Sequence, residues 1–223
     1  MKPLITVDGG AGTGKSTLGR FLASSLTLPF IDTGLFYRAV TAEAHRRGIT
    51  VQNADDAGEI ASSSHIEVNL DSTENPRWRA TVDGRDVSVE MFDPNQALLL
   101  GAVSAAPSVR AALLEPQRQA GKNGGVAVGR DCGTVIFPDG KPKFFLEASE
   151  DVRIGRRATD LEKAGYQAAH AGTDISGRDA TDLARTLKAD GVYTIDTGHI
   201  GVDEMCAYAL DICAKHGITP ELT

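Results

Sequence analysis

The sequence predicts an α/β fold whose alternation of strands and helices is interrupted by a small antiparallel sheet. Residues 4–47 have the pattern of a strand, a glycine-rich loop, a helix, a strand and a helix. Residues 65–89 instead alternate between apolar and polar side chains, and the strand–helix pattern returns after residue 121. Because a period of two is typical of half-exposed antiparallel strands, we interpret the middle segment as an insert in an α/β domain.

The first elements are predicted from the spacing of apolar residues. Leu4–Val7 is a short apolar run, typical of a buried strand. Ser16–Leu26 carries apolar residues at helical spacing, and Phe30–Ile31 forms a second short strand. Leu35–Arg47 is predicted to be a second helix, which Gly48 ends.

The insert is predicted from two alternating runs and a turn signal. His65–Leu70 and Arg77–Val82 alternate apolar and polar residues, and Asp83–Gly84 after them favours a hairpin turn. Val87–Val89 is then predicted to add a third antiparallel strand.

The remaining elements return to helices and buried strands. Gln167–Gly177 is small and polar and is predicted to be mobile. The predicted helices are Pro94–Ser104, Pro107–Ala120, Ser149–Ala164, Asp179–Lys188 and Val202–His216, and the predicted strands are Val126–Val128, Lys143–Leu146 and Val192–Ile195.

Composition and charge exclude several classes of protein. The 223 residues are 41% apolar with a net charge of −7, which argues against general binding to nucleic acid or anionic membranes. No apolar stretch is long enough to span a bilayer, and no signal peptide is predicted, so we expect a cytoplasmic protein. Cys206 and Cys213 are expected to share a buried helix face, and the scattered histidines predict no structural metal site.

One motif carries specific chemistry. Gly9–Ser16 matches G-x-x-x-x-G-K-[ST] in full, between a predicted strand and a predicted helix. This P-loop turns backbone N–H groups and the positive end of the helix dipole toward a bound phosphate. Lys15 is expected to contact the β- and γ-phosphates, and the Ser16 hydroxyl to ligate Mg²⁺. The residues expected to bind the nucleoside triphosphate are Gly9, Gly10, Ala11, Gly12, Thr13, Gly14, Lys15, Ser16 and Thr17.

The motif does not identify the phosphoryl acceptor, but five further segments carry a family resemblance. Asp32–Arg38, with the sequence DTGLFYR, resembles the D-[ST]-G-x-x-Y-R segment of bacterial cytidylate kinases. Asp83–Ser88 resembles the G-x-D-V-[ST] turn of that family, and Pro107–Arg110 with Gln117–Arg118 resembles its P-x-V-R…Q-R helix. Gly129–Pro138 is similar to its G-R-D-x-G-T-V-x-F-P segment. The spacing of Arg178, Asp179, Asp182 and Arg185 resembles that of its lid.

The resemblance runs in family order from residue 4 to about residue 205. It implies a P-loop NTPase fold, with a parallel five-stranded sheet wrapped by helices, an antiparallel acceptor-binding insert and a lid. We place the core at about 1–60 and 121–223, the insert at about 61–120 and the lid at about 158–185. The implied reaction is phosphorylation of CMP or dCMP by ATP with Mg²⁺, and the family precedent implies a monomer.

The resemblance also implies roles for individual residues. Arg38 and Arg130 would bind the CMP phosphate, since guanidinium forks suit phosphate oxygens. Asp131 would accept from the cytosine amine, while Arg110, assisted by Thr33, would donate to the carbonyl and ring nitrogen of the base. Arg153 and Arg157 would lie near ATP at the base of the lid. The implied catalytic residues are Lys15, Arg130, Arg178 and Arg185, and the implied substrate-binding residues are Thr33, Tyr37, Arg38, Gly101, Arg110, Arg130, Asp131, Arg178, Asp182 and Arg185.

Two positions depart from the family pattern. Val128 stands where the family usually has an acid, and Gly101 stands where it commonly has a serine that contacts ribose.

Two alternative functions stay open. A kinase of the same fold could act on UMP, AMP or a non-nucleotide acceptor such as shikimate. A nucleotide-binding module with little catalysis is the other alternative. A GTPase would need an N-K-x-D run, which the sequence lacks.

Overall fold

The computed structural model divides the chain into two compact units. The first comprises Met1–Asp32 with Ala120–Thr223, and the second comprises Thr33–Gln119. The predicted insert, 61–120, falls within the second unit except for its last residue. The structure describes residues 2–70, 78–163, 168, 171–172, 175–176 and 186–220.

The first unit is built on a five-stranded parallel sheet, as predicted. The strands are β1 (Leu4–Gly9), β2 (Phe30–Asp32), β6 (Gly125–Gly129), β7 (Lys143–Glu147) and β8 (Tyr193–Asp196). Their order in the sheet is β2-β6-β1-β7-β8, and every neighbouring pair is parallel. β1 lies in the centre of the sheet. The loop that follows β1 leaves from the carboxyl edge of the sheet, where α/β sheets bind ligands.

The described part of the first unit includes α1 (Lys15–Ser25), α6 (Glu150–Lys163) and α7 (Val202–Lys215). α1 and α7 contribute to the core cluster around the sheet, and α6 buries Arg153 and Leu161. Leu18 and Leu22 of α1 are fully buried in the same cluster as Cys206 and Cys213 of α7. The two cysteines therefore occupy the buried helix face that the sequence predicted.

Among its described residues, the second unit combines four α-helices with a three-stranded antiparallel sheet. The helices are α2 (Gly34–Arg46), α3 (Ala57–Ser63), α4 (Ala97–Ala105) and α5 (Pro107–Ala120), the last residue of which belongs to the first unit. The strands are β3 (Ile66–Leu70), β4 (Trp78–Val82) and β5 (Arg85–Asp86), in the order β3-β4-β5. Residues 94–96 form a 3₁₀ turn, so the helix predicted from Pro94 begins as an α-helix only at Ala97.

The insert has the predicted third strand, but its predicted bounds, Val87–Val89, are wrong, because β5 covers Arg85–Asp86. The strand ends at Asp86, whose carboxylate accepts a hydrogen bond from the Ser88 N–H at 2.8 Å. Val87 still donates its N–H to the Ala80 carbonyl of β4 at 2.9 Å, its side chain is fully buried in the core, and residues 88–89 form a turn. A 3₁₀ turn follows at Glu90–Phe92.

The prediction for the last third of the chain is tested only in part. The predicted lid at about 158–185 falls mostly outside the described residues, and so do Arg178, Asp182 and Arg185. Of the helix predicted at 179–188, the structure describes only residues 186–188, which are not helical.

Among the described residues, no single helix is long and apolar enough to cross a membrane. Pro94–Ala105 and Pro107–Ala120 pass that test only as a pair, and their axes are bent by 84°.

Candidate functional site

The glycine-rich loop lies between the centre of the sheet and the first turn of α1. α1 begins at Lys15, and Gly14 precedes it in the left-handed region with φ of 96°. The loop borders a cavity of about 500 Å³. The loop side of this cavity is lined by Gly12, Gly14, Lys15, Ser16 and Thr17, and the facing side includes Arg156, Asp160, Ile200, Gly201, Val202 and Met205. An anion in this cavity would meet the positive end of α1.

Side chains from distant parts of the first unit bind the carbonyl groups of the loop. The Arg130 guanidinium donates to the Gly9 carbonyl at 3.3 Å. Arg153, on α6, donates to the Ala11 carbonyl at 3.3 Å and is 9% exposed. Arg156, one turn later, donates to the Gly12 carbonyl at 3.3 Å. These contacts gather positive charge around a loop whose ligand would be anionic.

The two predicted ATP-binding arginines of α6 differ in position. Arg153 is buried, and its Nε also donates to the Ala148 carbonyl at 3.1 Å, so its guanidinium is held against the backbone. Arg157 is half-buried. Arg156, which the sequence did not single out, lines the cavity directly.

A buried carboxylate organises the turn that contains the predicted acceptor residues. Asp8, at the end of β1, is 4% exposed and accepts from the N–H groups of Cys132 at 2.8 Å and Gly133 at 2.7 Å. Residues 132–136 form a single π-helical turn after Asp131, which is itself 4% exposed. A Cβ at Gly133 would lie 3.2 Å from the Asp8 carboxylate and 2.9 Å from the hydroxyl of Thr6, so only glycine allows this approach.

The environment of Asp8 raises its pKa to about 6. Burial is the largest cause, because it penalises the ionised form, and the negative charge of Asp131 adds to it. The N–H groups of Gly133 and Cys132 and the Cys132 thiol act in the opposite direction. Asp8 therefore titrates near neutral pH beside residues with a predicted role in binding.

In the second unit, Arg110 contacts Tyr37 and Ser104, and Thr33 is bound by Gln117. The Arg110 guanidinium stacks on the Tyr37 ring at 5.7 Å and donates to the Ser104 carbonyl at 3.3 Å. Thr33 is 2% exposed, and its carbonyl accepts from the Gln117 amide at 3.1 Å. The Ser104 hydroxyl donates to the carbonyl of Gly101 at 3.1 Å.

Arg38 lies elsewhere in the second unit, against the 3₁₀ turn at 90–92. Its Nη1 donates to the Met91 carbonyl at 3.1 Å, and its guanidinium is 5.3 Å from the centre of the Phe92 ring. These two contacts hold the Arg38 side chain, which follows Tyr37 on α2, against the 3₁₀ turn.

Val128 shows what replaces the acid of the family pattern. It is 1% exposed on β6, within the core cluster of α1. A Cβ added at Gly19 would lie 2.4 Å from its Cγ1, so the Val128 side chain packs closely on α1. The position contributes to the core of the first unit.

Sequence reasoning missed Asp8, Arg156 and Thr197. Asp8 could have been found, because an acid that ends a buried strand and precedes a P-loop is an unusual residue to bury. Thr197 gives no such signal: it donates to the Thr13 carbonyl at 2.9 Å across 184 residues of sequence.

The residues of the loop fit a Mg²⁺ ion, the cofactor that the family resemblance implies. Mg²⁺ in kinases is held mainly by nucleotide phosphates and water, with few protein ligands. Ser16 lines the cavity and would supply one hydroxyl oxygen. The described residues contain no cluster of three His, Cys, Asp or Glu side chains that would form a protein cage for a metal.

Comparison with known proteins agrees with this geometry. A cytidylate kinase family model matches residues 5–215. The chain is 37% identical to a cytidylate kinase of Syntrophotalea carbinolica, with 95% of this chain and 92% of that protein covered. It is 36% identical to a cytidylate kinase of Methylococcus capsulatus, with 96% and 98% covered. It is also 34% identical to a bifunctional pantoate ligase/cytidylate kinase of a Synechococcus species, of whose length it covers 39%. The chain belongs to the cytidylate kinase family.

Proposed function

We propose that the protein transfers the γ-phosphoryl group of ATP to CMP or dCMP, giving ADP and CDP or dCDP. Membership of the family supports this reaction. The observation that carries it is the bond between the Arg130 guanidinium and the Gly9 carbonyl. Because of this bond, the segment Gly129–Asp131, which has the family's G-R-D sequence, contacts the phosphate-binding loop.

The donor site in this proposal is the cavity beside the loop. The N–H groups of residues 10–16 would bind the phosphates, with Lys15 at the β- and γ-phosphates. Ile200, Val202 and Met205 offer apolar surface to the base of ATP. Mg²⁺, held by the phosphates and Ser16, would neutralise phosphate charge.

The chemistry asks the protein for alignment and positive charge. A phosphate oxygen of CMP is already anionic at neutral pH, so no strong general base is needed. Lys15 and Arg130 would stabilise the charge on the transferred group, and the family resemblance assigns the same task to Arg178 and Arg185. We keep the lid at 158–185 and the acceptor-binding insert at 61–120 as part of this proposal.

Acceptor recognition is proposed residue by residue. Arg38 and Arg130 are assigned to the phosphate of CMP. Asp131 is assigned to the cytosine amine, because a carboxylate facing the carbonyl of uracil would lose its hydrogen bond. Arg110 is assigned to the carbonyl and ring nitrogen of the base. The remaining acceptor assignments, from the resemblance alone, are Thr33, Tyr37, Gly101 and Asp182, whereas Arg153 and Arg157 are assigned to ATP.

The test is a coupled assay of ADP release with ATP and each of CMP, dCMP, UMP and AMP. We expect turnover with CMP or dCMP, and its near-complete loss in Lys15→Ala with the fold intact. Turnover only with UMP, AMP or another acceptor would overturn the CMP assignment. ATP binding without transfer to any acceptor would support a non-catalytic module.

The base-reading role of Asp131 has its own test. Asp131→Asn could present either an acceptor or a donor, so we expect it to lower kcat/KM for CMP more than for UMP. If Asp131 acts only through Arg130, kcat/KM would fall equally for both acceptors, and the unchanged ratio would remove the base-reading role.

We further propose that the protein works as a monomer in the cytoplasm. A mass near 23.5 kDa in light scattering would support the monomer, and twice that mass would overturn it.

A further inference from the structure

Thr197 connects three parts of the first unit that surround the phosphate-binding loop. It directly follows β8, and it is 4% exposed. Its N–H donates to the Glu147 carbonyl, at the end of β7, at 2.8 Å. Its hydroxyl lies 2.9 Å from the Thr13 carbonyl and 3.1 Å from the Glu147 carbonyl.

Arg156 fixes the direction of this hydroxyl. Its Nη1 donates to the Thr197 hydroxyl oxygen at 2.9 Å, and its Nη2 donates to the Thr197 carbonyl at 2.7 Å. Because a hydroxyl has one proton, it accepts from Arg156 and donates to one carbonyl, of which that of Thr13 is nearer. The same Arg156 Nη1 also lies 3.3 Å from the Gly12 carbonyl.

Three consecutive carbonyl groups of the loop are thus bound by side chains of the first unit. Arg153 binds that of Ala11, Arg156 that of Gly12 and Thr197 that of Thr13. The backbone of α6 also packs on the loop. A Cβ at Gly12, which has φ of 74°, would lie 3.0 Å from the Cβ and the carbonyl oxygen of Arg153.

Binding the carbonyl groups also directs the N–H groups. In a trans peptide, the C=O and the following N–H point in opposite directions. Side chains that hold the carbonyl groups of residues 11–13 therefore turn the N–H groups of residues 12–14 away from the atoms that bind those carbonyl groups. Preorganised N–H groups bind phosphate without the cost of rearrangement at the moment of binding.

We propose that Arg153, Arg156 and Thr197 form an outer clasp, and that Arg156 and Thr197 are positioning residues for the donor nucleotide. They act through the carbonyl groups of the loop to orient the N–H donors that bind the phosphates. The inference deepens the proposed donor site and rests on it. It makes no use of the identity of the acceptor.

The test is the dissociation constant for ATP with Mg²⁺, measured by calorimetry without an acceptor. Thr197→Val keeps the shape of the side chain but leaves the Thr13 carbonyl without this donor. We expect it to weaken ATP binding about tenfold and to weaken inorganic tripolyphosphate by the same factor. Thr197→Ser should stay near wild type, and Thr194→Val, at an exposed position of β8, is the matched control.

Several outcomes would overturn the clasp. ATP affinity in Thr197→Val within about twofold of wild type would do so, even if the melting temperature fell. If Thr197→Val does not fold, Arg156→Lys carries the test, since it keeps the charge but loses the forked contact with Thr197. Undiminished affinity there would equally overturn the proposal. Wild-type protein that binds ATP but transfers nothing to CMP would contradict the proposed function alone, and wild type that binds no ATP would contradict both.

Discussion

Asp8 and Glu43 are carboxylates of similar burial whose pKa values move in opposite directions. Asp8, in the first unit, is 4% exposed, and burial raises its pKa from 3.8 to about 6. Glu43, in the second unit, is 3% exposed, and its pKa falls from 4.5 to about 2. The largest cause of that fall is its hydrogen bonds with Arg46.

The two shifts have different main causes: burial acts most strongly on Asp8, and hydrogen bonds with arginine act most strongly on Glu43. Glu43 is bonded to Arg46 and Arg47, at 2.8 and 2.7 Å, and Arg85 is 3.6 Å away. The two protein N–H groups that Asp8 binds carry no net charge, so they offset only part of the cost of burial. A buried charge kept with weak compensation is typical of a functional site, whereas a fully paired one is typical of a structural contact.

The largest expected effect is that of Asp8→Asn on catalysis. Asparagine has one acceptor oxygen, whereas the N–H groups of Cys132 and Gly133 each use a separate oxygen of Asp8. One N–H would lose its partner, and the turn after Arg130 and Asp131 would shift. We expect kcat/KM for CMP to fall about 10- to 100-fold, measured in the coupled assay.

The control for this substitution is Asp93→Asn. Asp93 also accepts from a backbone N–H, that of Asn95 at 2.9 Å, but at an exposed turn where asparagine serves equally well. If Asp8→Asn kept kcat/KM for CMP within about threefold of wild type, the contrast between Asp8 and Glu43 would not be one of function.

Glu43→Gln should instead affect stability. The change leaves Arg46 and Arg47 without their anionic partner, but both are partly exposed, which limits the loss. We expect the free energy of unfolding at pH 7 to fall by about 1–2 kcal/mol, and the melting temperature by about 2–8 °C. Thermal unfolding measures this, and kcat/KM should stay within about twofold. A large loss of activity at unchanged stability would reverse the roles assigned to the two carboxylates.

Much of the first unit could be predicted from sequence because its signals are local. The P-loop motif predicted the phosphate-binding loop. Short apolar runs predicted all five strands of the parallel sheet, because such a run is visible in the local sequence alone. The family resemblance also implied a parallel sheet of five strands. The order itself depends on pairing between distant segments, such as Leu4 with Gly125.

The sequence failed where a single polar contact decides the structure. The apolar residues of Val87–Val89 predict a strand, but β5 ends at Asp86, whose carboxylate accepts a hydrogen bond from the Ser88 N–H. Arg156 looks like any arginine on a helix surface, and its role depends on Thr197, 41 residues later. Hydrophobic periodicity carries no information about such pairs.

The smallest predicted effect is a pH dependence in which activity and stability move in opposite directions. Asp8 must be ionised to accept both N–H groups, so its contribution to activity should fall as pH falls through about 6. Its contribution to stability has the reverse sign. A carboxylate whose pKa is raised in the fold binds its proton more tightly there, so its stabilisation is present below 3.8 and is lost as pH rises through about 6.

Glu43 contributes no slope to stability in that window, because its own stabilisation is complete above 4.5 and is lost only as pH falls toward about 2. Between pH 5 and 7, Asp8 should therefore lower the free energy of unfolding by about 1 kcal/mol as pH rises. The measurement is denaturant unfolding and kcat/KM for CMP across this range, in wild type and in Asp8→Asn. The difference between the two proteins isolates Asp8 from Asp131, the Cys132 thiol and Lys143, which bonds the Gly133 carbonyl nearby. Identical pH profiles in the two proteins would show that Asp8 does not titrate near pH 6. The contrast between a raised pKa at Asp8 and a lowered pKa at Glu43 would then be wrong.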